Sequence, residues 1–104
     1  MTWYVYVAHL FAGAFLINCI PHLVNGLSGR RFQTPFASPP GVGESPAPVN
    51  AFWGFANLVV GYALLAGVGP FAFGLSWDAL VVGIGGALMA WRLSVHFGSI
   101  NSPK

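Results

Sequence analysis

Apolar residues run almost unbroken through three stretches of the chain, at about 3–25, 49–67 and 76–97, and polar residues collect between them. A helix of about 20 apolar residues crosses the hydrocarbon of a bilayer. Each stretch meets that length, so the pattern predicts three transmembrane helices in one domain spanning 1–104. The boundaries carry helix punctuation. Gly26 and Gly29, then Arg30 and Arg31, follow the first stretch. Asn50 is placed to cap the second, and Gly67, Gly69 and Pro70 end it. Ser76 followed by Asp78 is a helix start, and Gly98, Asn101 and Pro103 mark the end of the third. No basic segment precedes Trp3, and the apolar run passes straight through Ala12-Gly13-Ala14. The first stretch therefore reads as a retained helix and not as a cleaved signal peptide.

The segment between the first two helices, about 27–48, holds Pro35, Pro39, Pro40, Pro46 and Pro48. Proline fixes φ and removes a donor, so the segment is neither helix nor central strand. Phe32, Phe36 and Val42 interrupt it. The expectation is an extended, partly ordered strap against the membrane surface instead of a flexible linker.

Composition strengthens the membrane reading. Of 104 residues, 56% are hydrophobic and only 6% are charged. Soluble domains carry about a quarter charged residues. The expected class is an all-α integral membrane protein with a Pro-rich cytoplasmic loop. That excludes a nucleotide-binding α/β domain, and the scattered basic residues offer no nucleic-acid surface. The single cysteine, Cys19, forbids an internal disulfide and a multi-cysteine metal site. Arg30, Arg31, Arg92 and Lys104 fall on one side of a three-span chain. The positive-inside rule makes that side cytoplasmic and puts the N-terminus outside, in a cytoplasmic (inner) membrane. Arg30 and Arg31 are then placed to meet anionic lipid headgroups.

Small residues predict how the helices meet. Gly54 and Gly61 share a face of the second helix with Asn50 and Asn57, and Ala79, Gly83, Ala87 and Ala90 form a stripe on the third. Small residues four apart let helix backbones approach in lipid. The third helix has more such faces than the chain can fill, which points to contact with another copy or another membrane subunit.

Polar residues at membrane depth are the candidates for chemistry. Asn18, His22 and Asn25 lie on one face of the first helix around Pro21. Asn57 on the second helix and Arg92 and His96 on the third fall in the same half of the membrane. His9 lies on the face of the first helix opposite Asn18. The cluster admits several readings: interhelical hydrogen bonding, a path for protons or small solutes lined by Asn18, His22, Asn25 and Asn57, a haem or quinone site using His22 and His96, or a lipid headgroup site. Two histidines without carboxylates or thiolates make a poor metal set, and neither a metal nor another cofactor is expected. Pro40-Gly41-Val42-Gly43-Glu44-Ser45 lacks the lysine of a phosphate-binding loop, and no serine has an evident base and acid beside it.

The run Pro21-His22, Asn25-Gly26, Ser28-Gly29, Thr34-Pro35-Phe36, Pro39-Pro40-Gly41, Asn50, Trp53-Gly54 and Asn57-Leu58 resembles a family of small bacterial three-helix membrane proteins with no assigned activity. The resemblance implies a bacterial cytoplasmic membrane and a loop more specific than a linker. Together these features lead to the expectation of a small non-enzymatic membrane protein, either a homo-oligomer or an accessory subunit of a larger membrane complex.

Overall fold

The computed structural model describes residues 2–102. Three helices dominate it: α1 over Trp3–Leu27, α2 over Ala47–Ala66 and α3 over Trp77–Asn101. All three are long and apolar enough to cross a membrane. The longest dimension is 44 Å, close to the roughly 40–45 Å of a bilayer with its headgroup regions. α1 is the central element, packed on α2 along one side and on α3 along another.

Glycines set both interfaces. At Gly54 an added Cβ would lie 2.8 Å from the backbone nitrogen of Leu23, and at Gly61 it would lie 2.7 Å from the Leu16 side chain. The α1–α2 contact thus uses the seam expected from the sequence. The α1–α3 contact does not. Its close approach is made by Gly85 and Gly86 with Gly13, and a Cβ at Gly85 would run into the carbonyl of Leu10. Gly83, Ala87 and Ala90 are exposed instead, and a Cβ at Gly83 would meet nothing within 4 Å. Of the small-residue faces of α3, it is the Gly85-Gly86 face that turns to α1, where two backbones come closest.

The helix ends differ from the sequence reading in two places. α2 starts two residues early, with Pro46 as its N-cap and Pro48 in the first turn, where a missing N–H costs nothing. Asn50 is therefore inside the helix and not at its cap. α3 runs through Gly98 to Asn101, four residues past the expected end. Ser102, which precedes Pro103, has ψ 144°, the extended conformation that a following proline imposes. Ser76 does cap α3, its Oγ accepting from the Ala79 N–H at 3.1 Å.

The connection between α1 and α2 is ordered. β1 (Phe32–Gln33) pairs antiparallel with β2 (Glu44–Ser45), placing Phe32 opposite Ser45 and Gln33 opposite Glu44. Within this ladder the chain folds on itself: the Thr34 carbonyl accepts from Gly41 N–H at 2.9 Å, and the Pro39 carbonyl from Gly43 N–H at 2.8 Å. Thr34 Oγ1 and Ser45 Oγ share a buried hydrogen bond. Prolines fix φ along the strap and these internal bonds join its two arms.

Candidate functional site

The strap closes over one end of the helices and is tied to each. Asn50 on α2 is completely buried. Its Nδ2 donates to the carbonyls of Phe32 and Ser45, each at 3.0 Å. Those two carbonyls fix which way the amide points, so Asn50 Oδ1 is the acceptor facing His22 Nδ1 at 2.8 Å. His22 must then carry its neutral-form proton on Nδ1. From α3, His96 Nε2 meets the Gly41 carbonyl at 2.7 Å. A carbonyl only accepts, so here the proton is on Nε2, and the two histidines hold opposite tautomers. Asn101 and Gln33 exchange a reciprocal pair of amide bonds at 2.9 and 3.0 Å. That pair and the His96 bond explain why α3 continues past Gly98.

Beneath the strap lies a cavity of about 250 Å³, lined among others by Asn18, His22, Trp53, Arg92, His96 and Phe97. His22 is 2% exposed. Its ring meets Phe32, Trp53 and Phe97 edge-on at centroid distances of 5.6, 6.4 and 6.4 Å. Trp53 and Phe97 thus belong to this aromatic wall. Phe52, Phe55 and Trp91 do face outward.

Of the six polar residues expected to converge, four line this cavity: Asn18, His22, Arg92 and His96. Asn57 is one step removed, accepting from Asn18 Nδ2 at 2.9 Å while its own Nδ2 donates to the Trp53 carbonyl. Asn25 is not part of the wall. It donates to the Pro21 carbonyl at 2.8 Å and accepts from Arg30 Nε at 3.1 Å. Arg31 is exposed and donates to the Glu44 carbonyl at 3.1 Å. Its ion pair with the Glu44 carboxylate is a loose 4.0 Å contact between exposed groups, a geometry worth little. Lys104 lies outside the described residues. The cavity is smaller than the roughly 300–1,000 Å³ of pockets that enclose larger ligands, and His96 spends its Nε2 on the strap. Neither feature favours a haem between the two histidines.

The opposite end of the bundle holds a pair that the sequence reading did not join. His9 is 0% and Asp78 4% exposed. His9 Nδ1 and Asp78 Oδ1 are 3.3 Å apart, yet not aligned as a hydrogen bond, and both ring nitrogens of His9 lack a partner among the described residues. Asp78 Oδ2 accepts from the Ala72 N–H at 2.8 Å, folding the α2–α3 connection down onto α3, and Phe71 packs edge-on to His9 at 5.3 Å. The signal was present: a lone carboxylate opens an apolar helix whose N-terminus lies at the same end as that of α1. By itself Asp78 predicts only a helix start, because nothing local shows that the connection covers it.

No family model, no curated protein and no solved structure matches the chain.

Proposed function

We propose that the chain is a non-enzymatic integral membrane protein that works by assembly, with copies of itself or as an accessory subunit of a larger membrane complex. The observation carrying this reading is the uncovered face of α3. Gly83, Ala87 and Ala90 lie exposed along a helix whose closest approach to α1 is made by its Gly85-Gly86 side. Helices in lipid associate through small residues because close backbone approach, and not water exclusion, drives them together. The reading includes a bacterial cytoplasmic membrane with the strap on the cytoplasmic side, supported by Arg30, Arg31 and Arg92 at the strap end. A conduction path through one chain gains less support, since Asn18, Asn25 and Asn57 each spend side-chain groups on bonds within the chain.

The mass of the protein in mild detergent tests the proposal. A defined multiple of the 11.0 kDa chain, or a larger complex with other subunits, is expected. A monodisperse monomer, both in mild detergent and in lipid nanodiscs, overturns it.

A further inference from the structure

The cavity under the strap presents two complementary and unfilled groups. The first is His22 Nε2. Asn50 fixes the proton on Nδ1, so the neutral ring offers Nε2 as an acceptor, and no described residue donates to it. The ring is nine-tenths buried and lines the cavity. The second is Arg92, which also lines the cavity and makes neither hydrogen bond nor ion pair among the described residues. It is exposed and lies nine residues before the last residue of α3, where an anionic partner favours a guanidinium. No carboxylate lines the cavity.

A ligand that satisfies both groups must donate a proton-bearing group to one nitrogen and place negative charge near a guanidinium. A simple carboxylate at neutral pH has acceptors only. A phosphate monoester, whose second ionisation falls near about pH 6, keeps a P–OH donor in an appreciable fraction of molecules beside its anionic oxygens. The volume agrees: about 250 Å³ is the share of roughly eight waters at about 30 Å³ each, enough for a phosphate and a few further atoms.

We propose that the strap cavity binds a phosphate monoester or hydrogen phosphate group, which donates to His22 Nε2 and is charge-paired by Arg92. The group belongs either to a membrane lipid of the phosphatidic acid type or to a soluble phosphate. The proposal is independent of the assembly reading.

The test uses the full chain, labelled with 15N-histidine, in phosphatidylcholine nanodiscs. Phosphatidic acid, phosphatidylmethanol (an anionic diester without a P–OH) and inorganic phosphate are added in separate arms. The expected result is a shift of the His22 Nε2 resonance with phosphatidic acid, inorganic phosphate or both, and a weaker response to phosphatidylmethanol. Response to phosphatidic acid alone assigns a lipid source, and response to inorganic phosphate alone a soluble one. Arg92→Gln, with helix content checked by circular dichroism, is expected to weaken the response about tenfold or more, as loss of a charged hydrogen bond does. No His22 shift in any arm overturns the proposal. So does an equal response to phosphatidylmethanol, or unchanged affinity in a folded Arg92→Gln protein.

Discussion

His9 Nδ1 and Asp78 Oδ1 face each other 3.3 Å apart across the α1–α3 interface, at the end of the bundle away from the strap. Both side chains are shielded by Phe71 and by the connection that Asp78 itself holds through the Ala72 N–H. Removing one member of a buried pair leaves the other without compensation, typically at about 3–5 kcal/mol, whereas replacing both with apolar groups is often near neutral. His9→Leu and Asp78→Leu are each expected to lose about 3 kcal/mol, and the double variant far less than their sum. Unfolding by SDS in mixed micelles, followed by circular dichroism, measures the cycle. Additive losses would show that the two residues do not interact.

Asn50 is the junction between α2, the strap and His22. Its amide serves the carbonyls of Phe32 and Ser45 and the His22 ring at once, in a fully buried position. Asn50→Ala strands all three, and each unsatisfied buried group costs about 1–3 kcal/mol. The loss falls on the strap first, because the helices keep their own backbone bonds. Limited proteolysis is expected to cut the variant near Ala37 to Val42 much faster than the parent, with helix content preserved. Equal cleavage rates would show that the turn bonds of the strap suffice without Asn50.

Two glycines two residues apart on α3 should respond in opposite ways. A Cβ at Gly85 would collide with the backbone of Leu10, which has no side-chain freedom to move aside, and one at Gly83 meets nothing. Gly85→Ala is expected to cost about 1–3 kcal/mol, the usual penalty of overpacking. Gly83→Ala should stay within about 0.5 kcal/mol in the monomer, as substitutions away from contacts do. Gly83→Leu, which projects a bulky chain from the exposed stripe, should leave α1–α3 packing intact and reduce the mass seen in mild detergent. An unchanged mass would separate assembly from this face.

The three helices were legible because a long apolar run is a local property, whereas the prolines and aromatics of the connection gave an extended, partly ordered strap and not its two-stranded ladder. What remained hidden depends on which faces meet. Gly83 and Gly85 both sit on a Gly/Ala-rich helix, and periodicity alone does not say which one touches α1. Asn50 looked like a cap because it follows prolines, but Pro48 is itself acceptable in a first turn, and the helix begins before it. Asn18, His22, Asn25, Asn57, Arg92 and His96 group by face and depth, but neither says which side chains turn into the cavity, and Asn25 and Asn57 do not line it. Gln33 and Asn101 lie 68 residues apart, and nothing in either neighbourhood indicates that they pair.

Orientation rests on charge, and cysteine labelling tests it. Cys19 is buried, with its thiol on the Leu16 carbonyl at 2.9 Å, so it gives little background with a membrane-impermeant maleimide. Glu44 on the strap and Leu75 before α3 are both exposed and lie at opposite ends of a molecule 44 Å long. The basic residues near the strap each favour an anionic cytoplasmic leaflet by about 1 kcal/mol, and the positive-inside bias acts in the same direction. Glu44→Cys is therefore expected to react only when the cytoplasmic face is opened, and Leu75→Cys to react in intact cells. The reversed pattern would invert the assigned orientation. Reaction of both from one side would mean that α2, the only helix between them, does not span the bilayer.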